Sequence, residues 1–207
     1  PGAGDRELFT ADELKEVFDL RGISGGNAVF NPEKLDWFNQ QHMLRLSPVA
    51  LALRVKPFLE AAGFWRDDLL GDRHAWFFAV LELLKVRAKR LDEFPPLGRF
   101  FFSDDLEWDD AAVRKHLAAD GAADHLTAAA TAMSALATFD SESIETAVRQ
   151  VAESRGVKAG TIIHAVRVAL TGKTVSPGLF EVAALLGRER VNTRINAAIE
   201  RGAQARA

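Results

Sequence analysis

Two clusters of cationic side chains are the residues of this sequence whose types and spacing could do chemistry. Between Ser154 and Phe180, 27 residues carry Arg155, Lys158, Arg167 and Lys173 and no Asp or Glu at all. Lys85, Arg87, Lys89 and Arg90 put four more cations into six residues. Groups of this kind bind polyanions. From residue 154 onward the chain has 9 Lys+Arg against 3 Asp+Glu, whereas residues 1–153 have 17 against 26, so the two parts carry +6 and −9 and sum to the net −3. A polyanion would meet the second part and be repelled by much of the first.

Other chemistries lack their residues. Zero cysteines rule out disulfides, thiolate metal ligands and a cysteine nucleophile. The five histidines (His42, His74, His116, His125, His164) form no His-x-x-x-His or His-Glu-x-x-His pair, so no zinc site is expected. His164, inside the basic stretch, is expected to be a packed or stacking ring rather than an acid or base. Asp104 to Asp110 holds five carboxylates in seven residues, but without the Gly and terminal Glu of a calcium loop. A solvated helix start capped by Asp109 is expected there. The glycines from Gly22 to Asn27 lack a Gly-Lys-Ser/Thr ending and are expected to form a turn, not a nucleotide site. No serine-hydrolase motif is present, and neither catalytic nor metal-binding residues are assigned.

The elements that position the cations are helical. At 48% hydrophobic content, with Ala-rich amphipathic runs and no alternating β-branched runs, the 207 residues suit an all-α globular fold. Thr10 and Glu13 form a capping-box pattern, Asn31-Pro32 and Ser47-Pro48 are cap-and-opener pairs, and Gly63, Gly156, Gly172 and Gly187 are stops. A helix is expected from about Asp72 to Leu91 with Trp76, Val80, Leu83 and Leu84 inward, and Pro95-Pro96 is expected to break the chain. Leu35, Trp37 and Phe38 are expected in the core. Gly160–Gly172 is expected as a helix with Ile163, Val166, Ala169 and Leu170 inward, followed by Ser176 as a cap and Pro177 as the first residue of the next helix. The last helix, from about Arg188, buries Val191, Ile195, Ala198 and Ile199 and exposes its arginines. No apolar run approaches the roughly 20 residues of a membrane span, and a soluble, cytoplasmic protein is expected.

Several motifs are specific in order and spacing. Val166-Arg167-Val168-Ala169-Leu170-Thr171-Gly172, Ser176-Pro177-Gly178-Leu179-Phe180-Glu181-Val182 and Leu185-Leu186-Gly187-Arg188-Glu189-Arg190 resemble the C-terminal, anticodon-binding region of bacterial glutamyl-tRNA synthetases, class I aminoacyl-tRNA synthetases. Leu84-Lys85-Val86-Arg87-Ala88-Lys89-Arg90-Leu91-Asp92-Glu93-Phe94 is similar to the family motif whose arginine reads the third anticodon base. Val29 to Asn39 is similar to the segment that follows the catalytic signature and touches the inner side of the tRNA. Ala165, Arg90 and Gly25-Gly26 depart from the family pattern.

The resemblance implies two consecutive helical bundle subdomains, 47–138 and 139–207, joined near Thr138 to Ser141 and preceded by a tRNA stem-contact segment, 1–46. It assigns anticodon contacts to Arg87, Arg167, Ser176, Pro177 and Leu179. Lys34, Asn39, Lys85, Lys89, Lys158 and Lys173 are candidate tRNA backbone contacts. The partner implied is tRNA-Glu, bound by a monomer, with neither DNA nor a membrane involved. The parent reaction joins glutamate to tRNA-Glu using ATP and Mg, but neither the His-Ile-Gly-His-type nor the Lys-Met-Ser-Lys-type signature occurs here. The chain alone is therefore expected to be inactive and to hold no cofactor, as a portion cut from a longer enzyme. The alternative is a free-standing RNA- or protein-binding module.

Overall fold

The computed structural model describes residues 6–20 and 29–206, and among these the regular elements are all helical. The glycine turn expected between Gly22 and Asn27 lies outside the described residues. In chain order the helices are α1 (Ala11–Val17), α2 (Pro32–Leu44), α3 (Pro48–Ala61), α4 (His74–Lys85), α5 (Phe94–Phe102), α6 (Asp110–Ala112), α7 (Ala122–Ser134), α8 (Ser141–Ser154), α9 (Ala159–Thr171), α10 (Leu179–Leu186) and α11 (Arg188–Gln204). A π-helical stretch, Val113–Leu117, continues α6.

Local caps set most boundaries. Thr10 and Glu13 make the reciprocal capping box of α1. Asn31, Ser47, Asp109 and Asp140 accept first-turn N–H groups of α2, α3, α6 and α8. Gly63, Gly156 and Gly172 take positive φ just past α3, α8 and α9. At Gly172 the requirement is double, because its φ is 74° and a Cβ would overlap the carbonyl oxygen of Glu107.

Packing builds two contiguous regions. α3, α4 and α5 pack together with α2 against α4, while α7, α8, α9 and α11 pack on one another. Helix α10 touches α4, α8 and α9, and the Trp76 indole N–H donates to Leu185 O at 2.7 Å. Packing also crosses residue 138, since α7 lies against α8, α9 and α11. Fully covered Leu51, Val55, Leu59, Phe77, Leu81, Leu84, Phe94 and Phe101 fill one region, and Leu126, Met133, Val148, Ile162, Leu170 and Ile195 fill the other.

Several sequence expectations are corrected. Helix α4 stops at Lys85, because the Gln40 side chain donates to Val86 O and the Glu93 carboxylate accepts the Lys89 N–H while Ala88 turns into the core. Pro95 and Pro96 do not break the chain. They sit in the first turn of α5, where a missing N–H costs no helical bond. Leu35 and Trp37 are 46% and 40% exposed, so that face of α2 is not core. On α9 the buried face is broader than expected, running over Ile162, Ala165, Val166, Val168, Ala169 and Leu170, with Ile163 only partly covered.

The largest correction concerns the arginines of α11. Arg194 is only 5% exposed. Its guanidinium donates to Leu170 O at 2.7 Å, to Phe100 O at 2.8 Å and to Ser103 O at 2.9 Å. These are carbonyls at or just past the C-terminal ends of α9 and α5, which intrahelical bonds leave open. Arg190 donates to Phe101 O at 2.7 Å and to Asp104 at 2.5 Å. Arg188 donates to Ser134 O and Leu136 O, both at 2.5 Å, at the end of α7. The acidic turn is likewise not merely solvated: Asp104 meets Arg190 and Arg194, and Asp105 and Glu107 meet Arg99. Replacing Arg194 with Leu should destabilise the fold by about 3 kcal/mol or more, because it strips charged donors from buried carbonyls. Arg149→Ala, which removes an exposed i,i+4 pair with Glu145, should cost about 0.5 kcal/mol or less. Urea unfolding of the two variants measures both; equal losses would remove the special status given to Arg194.

Candidate nucleic-acid interface

The C-terminal ends of α5 and α9 and the segment 173–177 enclose a pocket of about 90 Å³. Its lining includes Arg87, Leu97, Phe100, Glu107, Lys173, Val175, Ser176 and Pro177. The walls come from different places. Leu97 and Phe100 belong to α5, Arg87 to the turn leaving α4, and Ser176 and Pro177 to the connection between α9 and α10. Arg194 and the Asp109 N–H, which donates to Gly172 O at 2.9 Å, tie these walls together from behind.

The 173–177 connection is held by Arg167. This residue on α9 donates through Nη1 to Ser176 Oγ and to Pro177 O at 2.9 Å. Ser176 is therefore no helix cap: it is buried, its hydroxyl donates to Pro177 O at 2.8 Å, and the residue preceding α10 is Gly178. A Cβ at Gly178 would overlap the Glu181 carboxylate, which folds back over the start of α10. The Thr171 hydroxyl donates to Lys173 O at 3.1 Å and accepts from the Lys173 N–H. The connection is thus fixed at both ends by side chains.

Arg167 spends one donor nitrogen on the protein. Its Nη2 and Nε have no protein partner among the described residues. Burial holds its guanidinium below the usual arginine range, the charge of Arg87 pushes it the same way, and Glu181 opposes. Arg87 is exposed, and among the described residues its side chain forms neither an ion pair nor a hydrogen bond. Arg87 thus lines the pocket directly, while Arg167 holds its Ser176–Pro177 wall.

The remaining predicted positions divide. Lys173 lies at the pocket, 3.6 Å from Glu107. Lys89 and Lys158 are exposed. Lys85 is turned inward, with its side chain 13% exposed and paired to Glu82 at 2.5 Å. Lys34 pairs with Glu7 at 2.8 Å and lies over the Phe38 ring, while Asn39 lines a separate open cavity of about 680 Å³ between α2 and α3. Leu179 is buried at 3% exposure, so its side chain packs inward instead of meeting a ligand. Val175, 73% exposed and in the lining, is the apolar surface that faces the pocket. Sequence reasoning missed it because a lone valine in a polar loop carries no periodic signal.

Comparison with known proteins identifies the family. The sequence model described as "Anticodon binding domain" matches residues 50–199. A glutamate–tRNA ligase of Desulforudis audaxviator is 36% identical over 96% of this chain and 40% of its own length, and one of Syntrophus aciditrophicus is 40% identical over 93% and 39%. The crystal structure of a glutamate tRNA ligase from Elizabethkingia meningosepticum, in complex with its amino acid, superposes with a TM-score of 0.83 at 28% identity, covering 96% of this chain and 38% of that one. The chain therefore spans about 40% of the length of the curated relatives it matches.

Arg167→Lys keeps the charge but replaces a planar fork with a single point donor. It should cost about 1 kcal/mol of stability and speed amide hydrogen exchange across residues 173–178. Unchanged exchange there would mean that the connection does not depend on Arg167.

Proposed function

We propose, starting from the fact that this chain belongs to the anticodon binding domain family, that it is the tRNA-binding, anticodon-recognising C-terminal portion of a cytoplasmic glutamyl-tRNA synthetase. Its partner is tRNA-Glu. The observation that carries the reading is the pair Arg87, which lines the pocket without an ion pair, and Arg167, which holds the Ser176–Pro177 wall of that pocket, two cations whose charges repel. Such a pair costs energy until a ligand supplies charge or acceptors. Arg87 offers an unengaged fork, Arg167 offers Nε and Nη2, and Ser176, Pro177 and Val175 give a wall of backbone and apolar surface. Splayed bases of single-stranded RNA are read by just such forked donors and contact surfaces.

The reaction of the parent enzyme, attachment of glutamate to tRNA-Glu with ATP and Mg, belongs to a part that these residues do not supply, as neither catalytic signature occurs in the sequence. This chain recognises, and the chemistry is done elsewhere. The subdivision 1–46, 47–138 and 139–207 corresponds on this reading to a stem-contacting segment followed by two anticodon-binding units, with α7 of the first unit packed against α8, α9 and α11 of the second. Leu35 and Trp37 on α2 are exposed in the stem-contacting segment.

Titration of the 207-residue chain with tRNA-Glu and tRNA-Gln at two salt concentrations tests the reading. Arg188, Arg190, Arg194 and Arg206 are engaged by the fold. Phosphate contacts then fall to about five residues such as Arg155, Lys158, Lys173 and Lys89, and log K should drop with log salt at a slope of about −3 to −4. Affinity indifferent to salt would sink it. Arg87→Ala and Arg167→Ala should each cost about 1 to 3 kcal/mol on the cognate anticodon and narrow the gap to a tRNA altered at one anticodon base. If both variants weaken cognate and altered tRNAs equally, the arginines clamp phosphates and do not read bases.

A further inference from the structure

A second cavity, of about 270 Å³, lies beside the N-terminal half of α9 and is lined by Lys115, His116, Asp120, His125, Thr161 and His164, among others. Three imidazoles thus come to one place from three elements: the π-helical stretch, α7 and α9. The rings of His116 and His164 are stacked, with centroids 5.3 Å apart and planes 27° from parallel. His164 is exposed and His116 is part-buried, so the solvent-facing member of the stack is His164. His125 Nδ1 is buried without a partner.

A metal centre does not account for the cluster. Stacked rings point their nitrogens sideways instead of converging on a point, and among the described residues no group of three His, Asp or Glu can hold an ion. A core role does not account for it either, since a core ring would be covered on both faces. What remains is a flat aromatic platform at the rim of a polar cavity with one lysine beside it. Burial first, and then the charges of His164 and Lys115, hold His116 below the usual histidine range.

Its position connects it to the pocket. His164 lies three residues before Arg167 on α9, a rise of about 4.5 Å, and side chains at that spacing are neighbours on a helix surface. An RNA strand that places one base at Arg167 and Pro177 therefore passes His164 with its next nucleotide.

We propose that the stacked His116–His164 pair is a second RNA subsite, which stacks the unpaired base next to the one held at Arg167 while Lys115 meets its phosphate. The proposal rests on the RNA-binding reading above and adds to it a specific neighbouring nucleotide. Aromatic and histidine rings hold splayed bases by their faces, a sequence-tolerant interaction. Thr161 adds a hydroxyl among the cavity-lining residues.

The experiment uses the full 207-residue chain and an RNA stem-loop carrying the tRNA-Glu anticodon loop. Two further stem-loops each lack one base, an abasic ribose standing on the 5′ or on the 3′ side of the anticodon. His164→Ala should weaken binding of the intact stem-loop by about tenfold, within what one base–aromatic stack supplies. His164→Phe, which keeps a ring, should weaken it by no more than about twofold on the same basis. The His164→Ala loss should vanish on one of the two abasic stem-loops, as a coupled pair requires. Thermal melting checks that the variants fold. An unaffected His164→Ala, an equal loss in the Ala and Phe variants, or a loss that persists on both abasic RNAs overturns the subsite. If Arg167→Ala weakens binding while His164→Ala does not, only the subsite falls; indifference to both changes overturns the RNA reading beneath it.

Discussion

The guanidinium of Arg194 is the contact on which the functional surface depends. From α11 it reaches the open carbonyls at the ends of two other helices, Leu170 at the end of α9 and Phe100 and Ser103 at the end of α5. Those two helix ends form opposite walls of the pocket at Arg87 and Pro177. A cation suits the negative end of a helix, and here one planar fork serves two such ends at once. The arrangement is costly, since burial pulls the Arg194 guanidinium down to about 10. Asp104, held below the ordinary carboxylate range chiefly by its hydrogen bond from Arg190, offsets part of that cost. The acidic turn and the arginines of α11 thus act as one clasp, and the pocket walls inherit its rigidity.

How much of this could be read from the sequence follows from the range of each interaction. The capping box of Thr10 and Glu13, the caps Asn31, Ser47 and Asp109, and the stop at Gly172 involve partners within four residues, and each was legible. Arg194 was not. Its partners lie 24 to 94 residues away, and an arginine on an otherwise amphipathic helix gives the same local pattern whether it meets water or a carbonyl. Ser176 before Pro177 carried a strong cap signal, yet its hydroxyl answers Arg167 from the preceding helix. The end of α4 was set by Gln40 and Glu93, which no breaker residue announced. At the site, Arg87 and Arg167 were legible from resemblance and from residue type, whereas Val175 and the His116–His164 stack required the fold.

Charge counting overstated the attraction. Of the nine cations after residue 153, Arg188, Arg190, Arg194, Arg201 and Arg206 have partners inside the fold. The remaining four are those of the stretch that contains no acid, and of these Arg167 donates to Ser176 and Pro177 and Lys173 lies 3.6 Å from Glu107, so that only Arg155 and Lys158 are without a side-chain partner among the described residues. A sum over the chain treats the two groups alike, although one neutralises helix ends and the other stands in solvent or at a pocket. The useful quantity is the charge left after the fold has taken its share.

On the proposed reading, that division also accounts for how the pocket would discriminate. A mobile cation gains from any phosphate, because a long exposed side chain reorients towards the nearest anion. Arg167 cannot, since one of its nitrogens is already committed to Ser176 and Pro177, and its remaining donors therefore point in one direction. The donors then match a ligand only where its acceptors have the right spacing, and the ordering entropy has been met during folding. Opposite it Arg87 is unengaged, so the site pairs one fixed fork with one adaptable fork. The fixed member sets which edge is accepted, and the adaptable member closes on it. The clasp at Arg194 matters for this reason: if the α5 and α9 ends drifted apart, both forks would persist but would no longer address the same base.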